Sequence, residues 1–542
     1  MIPKPISSKA PSLGAQASRA VLWNVLFVPL RMIAEITATL IKLSVMTQLS
    51  FGMISLINAT NNGLGTWIDL GTGRALPKFI PETARAGGPR AVTRLLLAAL
   101  GAQMALLAII GAALIGLREF YLSYLRGQVT NVTATTISDQ QLLLKFIDQW
   151  NWLLIAAILA VLLFGIFYDV LMASLSSFFK QRAWNSVTLV AQLLPPLLTA
   201  AVILAGFDIT GVVVVMVLAP AIATALVGWQ VLRHQREVAA LPQPADDGRM
   251  LPAGFVRYCG VSFLMTATDF LASGGFALFF TRNVVQAAVL AAGVNVVRMV
   301  LAYLYTPMVG VQVPLFTRVR QGEGGTLLGA YQSLVRLQVL LLVPGGVGLL
   351  LLARAVFALI NPVYVDAVPL VWVLVPCLFL ESLLTTAHNA LIVYEHLRVI
   401  IISRLLTLIC VPLVLLLFPI LGVLGAALAF GLARVAAGMW ATGSGYRLLG
   451  LRWPWRFSLR VVLASAIMAA LVAALSAFLP WPAVTAHGLA RRAALPLLLA
   501  IAGLGGAAFL LALRLLGGID PQDRRQLEHM KLPLKRQLLR IL

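Results

Sequence analysis

Acidic residues are scarce in this chain: 19 Asp and Glu stand against 41 Lys and Arg in 542 residues. All charged residues together make up only 11%, while apolar residues make up 60%. So little charge cannot clothe the surface of a soluble fold, and a mean hydropathy of +0.94 places the chain in a bilayer. Cysteine is equally thin. Cys259, Cys377 and Cys410 stand singly inside apolar runs, which gives neither a disulfide framework nor metal-ligand spacing. The five His residues are scattered, and no GxxxxGK[ST] loop or HExxH pair occurs, so nucleotide hydrolysis by that loop and zinc-peptidase chemistry are both excluded. No nucleophile constellation stands out either, and the expectation is a protein that is not an enzyme, with no metal site.

What the chain has instead is long apolar runs. A spanning helix needs about 20 such residues, because lipid offers backbone polar groups no partner. Runs of that length fall near 21–45, 51–76, 93–117, 151–174, 184–206, 210–232, 254–278, 284–312, 334–354, 368–392, 399–419, 421–442, 459–479 and 493–516. The expected fold is therefore an all-α integral membrane protein of about 14 transmembrane helices. The first run is longer than a signal-peptide core and lacks a small-residue cleavage site, so it is expected to be retained. The longest connections, about 118–150 and 233–253, are too short for a sizeable extramembrane domain.

The net charge of +22 has a topological explanation. Counting along the chain, about 30 of the 41 Lys and Arg fall on alternate loops, which by the positive-inside rule puts both termini in the cytoplasm. Nucleic acid is not expected as a partner. The basic, Leu-punctuated tail 517–542 reads as a segment drawn to anionic lipids. The polar, Pro- and Gly-containing stretch 233–253 divides the chain into a first lobe, 1–232, and a second, 254–450, with an additional helix pair in 451–516. The echo of Leu76-Pro77-Lys78-Phe79 in Val313-Pro314-Leu315-Phe316 suggests a parallel repeat, a common plan of rocking transporters.

The stretch 63–82, GLGTWIDLGTGRALPKFIPE, resembles the end of the second helix in the polysaccharide-exporting (Wzx-type) branch of the multidrug/oligosaccharidyl-lipid/polysaccharide exporter superfamily. Lys78 stands where that branch has Arg, before Phe79, Ile80, Pro81 and Glu82. The turn from Pro419 through Gly422, Gly425, Ala426, Ala427 and Ala429 is similar to the branch's external turn between its eleventh and twelfth helices. The resemblance covers about residues 15–450. It implies two six-helix lobes around a central cavity, with the C-terminal pair as an addition found in some members, lipid II flippases among them. It also implies a monomeric flippase of the bacterial inner membrane, working by alternating access. Its cargo would be undecaprenyl-diphosphate-linked oligosaccharide for surface or exopolysaccharide synthesis, handed on near polymerase machinery. Two alternatives stay open: a lipid II flippase, which the span count favours and the motif wording does not, and a cation-coupled multidrug antiporter. A polytopic glycosyltransferase or ligase would need a larger external loop with catalytic groups.

Ionisable groups inside spans are costly and mark function or pairing. The first span carries Arg31, Glu35 and Lys42; later spans carry Asp69, Asp169, Asp269, Arg298, Glu381 and Arg434. Arg grips a diphosphate bidentately without losing its proton. Arg31 and Arg298 are thus the leading substrate-binding candidates, with Lys42 and Arg282 behind them. The alternative is that Glu35 neutralises Arg31, and Asp269 neutralises Arg298, merely to permit burial. Arg74 and Lys78 are candidates for capturing the head group at the cytoplasmic rim. Asp69, Asp169 and Asp269 are candidates for Na+ or H+ coupling; no organic cofactor is expected.

Overall fold

The computed structural model describes residues 27–517, apart from 28, 32, 35, 133–136, 178–179, 208, 240–250, 323–324 and 479–493. A helical stretch carrying Arg31 and Lys42 ends at Met46 and Thr47, and α1 (Gln48–Asp69) follows. After a two-residue break comes α2 (Thr72–Gly116), which is kinked at Gly88. Two short helices, α3 (Arg118–Thr130) and α4 (Ile137–Gln149), lead to α5 (Asn151–Ser177), α6 (Gln181–Leu204) and α7 (Ile209–Ala239). The next span is broken into α8 (Phe255–Leu271) and the single turn α9 (Gly274–Ala277), and α10 (Val284–Arg320) and α11 (Leu327–Ile360) follow it. Then come α12 (Val368–Val393), α13 (Leu397–Leu406), α14 (Cys410–Leu421) and α15 (Val423–Leu449). The last two are α16 (Trp455–Phe478) and α17 (Ala494–Leu515). The all-α membrane architecture expected from the sequence is the one observed.

Eleven helices among the described residues are long and apolar enough to span, or twelve if the bent α8–α9 pair is one span. The difference from fourteen has a physical reason. The expected first span is described only in part, and α1 carries Asn58, Thr60, Asn61, Asn62 and Thr66, too many polar groups to register as apolar. The stretch 118–150, expected as a loop, holds α3 and α4 instead. Leu122, Leu125, Val129, Leu143, Phe146 and Ile147 are buried in them at helical spacing, while Glu119, Ser123, Gln141 and Lys145 face outward. Each of these amphipathic helices is thirteen residues long, too short to span, which is why hydropathy alone marks the stretch as a connection.

The chain forms two compact units. One comprises 1–42, 60–125 and 142–267; the other comprises 43–59, 126–141 and 268–542. In the first, α5 packs on α2 and α7, and α6 on α7. Its core is built around the sequence motif: Leu76, Phe79 and Ile80 are buried with Val170, Ala173, Phe255 and Cys259. The motif helix starts where it does because Gly71 accepts φ +75°, and a side chain there would sit 2.2 Å from the carbonyl oxygen of Cys259. One of its first N–H groups, the Gly73 amide, is answered by Asp69, whose Oδ1 accepts it at 2.8 Å and also accepts the Thr72 hydroxyl at 3.2 Å.

In the second unit α12 packs against α10, α11 and α15, α14 against α15, and the pair α16–α17 against α11. The α14–α15 turn is tight. Gly422 takes φ +58°, and a Cβ on Gly425 would lie 2.2 Å from the Leu417 carbonyl oxygen, so the two helices touch backbone to backbone. Gly443, later in α15, has open space around it. Gly425→Ala is therefore expected to lower stability by about 1–3 kcal/mol through overpacking. Gly443→Ala is expected to raise it by up to about 1 kcal/mol, since Ala is the better helix former. Thermal unfolding of the two purified variants beside wild type checks the contrast; equal shifts would contradict it.

Candidate functional site

In the second unit a polar seam runs between α10 and α12. Arg298, Tyr305 and Gln312 recur every seven residues on α10, two turns apart and hence on one face. On α12, Glu381, Thr385, His388 and Asn389 recur at helical spacing, and the Asn389 amide donates to Gln312 Oε1. From α11, Gln338 accepts from the Thr386 hydroxyl at 2.6 Å.

Two ion pairs anchor this seam. Arg434 on α15 grips Glu381 with both arms of its guanidinium, Nε to Oε2 at 2.8 Å and Nη2 to Oε1 at 2.8 Å. Its third nitrogen, Nη1, donates to the Ala272 carbonyl at 3.1 Å. That carbonyl belongs to the break between α8 and α9, where the helices bend by 50° and the regular ladder stops. In a bilayer such a freed backbone group needs a partner from a neighbouring helix, and Arg434 supplies it. Ser273 closes the other side of the break by accepting from the Phe276 amide. The second pair joins Asp269 on α8 to Arg404 on α13.

Three arginines thus face two carboxylates. Arg298 lies within electrostatic reach of both Arg434 and Glu381 yet has no ion pair or hydrogen bond among the described residues. The pairing of Arg298 with Asp269 weighed from the sequence does not form, because Arg404 takes that carboxylate. Sequence reasoning missed Arg404 by counting it among the basic loop residues; its place inside an apolar run was the available signal. Arg282, at the start of the α10 connection, stands 5.8 Å over the Phe418 ring and is exposed.

In the first unit Arg31 lies 5.2 Å over the Trp184 ring and close to Tyr168, and its Nε is buried with no hydrogen-bond partner among the described residues. Its proposed partner Glu35 falls outside the described residues. Lys42 stands eleven residues on, about three turns and so on the same helical face. It is half-buried, and no ion pair or hydrogen bond holds it among the described residues. Lys78 lies 4.4 Å over the Tyr258 ring and 5.0 Å over Phe79, so the motif packs its aromatic residues and presents its cation at once. Arg74 is exposed one turn earlier.

The three carboxylates considered for ion coupling differ. Asp69 is occupied in starting α2, and Asp269 is held by Arg404. Asp169 is exposed on α5, feels the charge of Asp69, and has no bonded partner among the described residues. No group of three or more His, Cys, Asp or Glu poised for a metal occurs among the described residues.

No protein-family model matches the sequence, and no curated protein does either. Among solved structures the chain is similar to the lipid II flippase MurJ in its inward closed conformation, with a TM-score of 0.65 at 10% identity, covering 90% of this chain and 98% of that one. It is also similar to a multidrug resistance MATE family transporter of the MOP superfamily in its inward-facing conformation. There the TM-score is 0.57 at 13% identity, covering 77% of this chain and 94% of that one. The chain therefore has the fold shared by these transporters. At such identities the likeness speaks for the fold alone, and the chemistry rests on the residues above.

The Arg434–Glu381 pair gives a direct test of the seam. Removing Glu381 strands the Arg434 charge inside a span, so Glu381→Ala is expected to cost about 3 kcal/mol of stability. Glu381→Leu with Arg434→Met is expected to recover part of that loss, since no lone charge remains although the Ala272 carbonyl loses its donor. Unfolding in mixed micelles, followed by tryptophan fluorescence, compares them; a double variant worse than the single one would reject the assignment.

Proposed function

We propose that this chain is a transporter of the bacterial inner membrane that turns a polyprenyl-diphosphate-linked oligosaccharide from the cytoplasmic to the outer leaflet by alternating access, in surface or exopolysaccharide synthesis. The observation that carries the reading is the exposed guanidinium of Arg298 on a spanning helix. Glu381 is within its electrostatic reach but is gripped by Arg434, which leaves Arg298 able to take an anion that arrives from outside the protein. A diphosphate is such an anion. It takes two parallel hydrogen bonds from one guanidinium, and Arg stays charged at any physiological pH.

The partial freedom of Arg31 and Lys42 supports the same cargo. They offer two more cations on one helical face about 16 Å apart, a reach suited to a diphosphate and the groups joined to it. Both termini are placed in the cytoplasm by the distribution of Lys and Arg, so the head group would first meet Arg74 and Lys78 at the rim.

A second reading, lipid II as cargo, is supported by the likeness to the MurJ structure, which covers 90% of this chain. Both cargoes carry the same diphosphate and differ in the sugar. A cation-coupled drug antiporter fits less well, since Asp269 and Glu381, the acidic groups of the second unit's seam, are already neutralised by arginines.

The test uses purified protein in proteoliposomes with a lipid-diphosphate-linked oligosaccharide, following the sugar's accessibility to an added glycosidase. Protein-dependent exposure is expected, with Arg298→Ala and Arg31→Ala each slowing it at least about tenfold, the equivalent of one lost charge-assisted contact. Lipid II presented in the same vesicles separates the two cargoes. Failure of both lipids to move, with drug uptake that survives the Arg changes, would overturn the proposal.

A further inference from the structure

The first part of α10 forms the apolar span Val284–Tyr305. From Ala287 to Arg298 this helix is almost wholly enclosed, and its only exposed residues are Asn295 and Arg298. Both are polar, in a stretch otherwise made of Ala, Val, Leu and Gly. They stand three residues apart, about 4.5 Å along the axis and on one helical face. No hydrogen bond holds the Asn295 side chain among the described residues. An exposed carboxamide thus lies beside the guanidinium on which the proposed cargo depends.

Packing fixes the direction of that face. A Cβ on Gly293 would meet the Leu370 side chain of α12 at 3.1 Å, and one on Gly274, in α9, would meet Val294 at 2.9 Å. Val296 and Val297 are fully buried. Contacts this close on the other sides of α10 leave it little freedom to rotate about its axis, so Asn295 and Arg298 are presented by a rigid element. Turned to lipid, an amide and a guanidinium would each give up hydrogen bonds to water and gain none. The face they share is therefore one that water reaches.

The two side chains differ in what they can bind. A guanidinium only donates, which suits phosphate oxygens. A carboxamide has two donor hydrogens and an acceptor oxygen, which suits a sugar hydroxyl that both gives and receives. In the cargo proposed above the first sugar is joined directly to the diphosphate, so an anion and a set of hydroxyls arrive side by side. Arg298 and Asn295 stand side by side to meet them. We propose that Asn295 binds the sugar adjoining the diphosphate held by Arg298, and is the residue of α10 that distinguishes a sugar-bearing lipid from bare polyprenyl diphosphate. The assignment rests on the flippase reading, which places the diphosphate at Arg298.

The test compares two lipids on the purified full-length chain in detergent: polyprenyl diphosphate bearing the oligosaccharide, and the same lipid without sugar. Each is titrated, and the bound fraction is read by native mass spectrometry. Asn295→Ala is expected to weaken the sugar-bearing lipid about fivefold, the worth of one neutral hydrogen bond, and to leave the bare lipid unchanged. Arg298→Ala is expected to weaken both. A residue that merely wets the face or shapes the helix would, when replaced, change neither lipid or both alike. Either result overturns the sugar site, while loss of both lipids in Arg298→Ala keeps the diphosphate reading standing. If wild type binds neither lipid, the flippase reading fails and the sugar site fails with it. Asn295→Val gives the same comparison should the Ala variant fail to insert.

Discussion

Lipid offers no hydrogen-bond partner, so every backbone group freed inside the bilayer must find one within the protein. The break between α8 and α9 is where this chain meets that constraint most directly, and one nitrogen of the Arg434 side chain meets it. Two of its nitrogens bind Glu381 and the third binds the Ala272 carbonyl. One guanidinium thus joins α15, α12 and the broken span, and the seam between α10 and α12 is built outward from it. Arg298, Tyr305 and Gln312 recur at two-turn intervals on α10, and Gln312 meets Asn389 of α12 in a hydrogen bond. Two arginines of this unit are answered by carboxylates, and Arg298 is exposed with no ion pair among the described residues.

The first unit solves a related problem with other residues. Its motif helix starts after Leu70 and Gly71, both at positive φ, and Asp69 accepts from the amide of Gly73 in its first turn. The same stretch then buries Leu76, Phe79 and Ile80, turning Lys78 outward onto two aromatic rings. A string of residues that looks like a signature for function is, in large part, the requirement for starting one helix tightly against Cys259. The cation at its centre is what remains free for other work.

Much of this was legible in the sequence. The apolar runs located the spans, although some helices run well beyond them (α2 begins 21 residues before the run at 93–117), and the scarcity of acid made the class plain before any motif was read. Intramembrane charges named Arg298, Glu381, Arg434 and Asp269 as a set, because few such residues survive in a span without a reason. Their pairing was not legible: Asp269 lies 135 positions from Arg404 in the chain and nothing local couples them. The helices α3 and α4 were also missed as helices, since thirteen residues of amphipathic period are too few for a span and too regular for a loop. The polar α1 escaped for the opposite reason, its Asn and Thr residues lowering a hydropathy that its length would otherwise have carried.

The contact between Gly425 and the Leu417 carbonyl makes α14 and α15 a single mechanical piece. Helices that touch backbone to backbone across a one-residue turn leave no slack at their tip. Ala426, Ala427 and Ala429, fully buried, continue the close packing into α15, so a displacement of either helix carries the other with it.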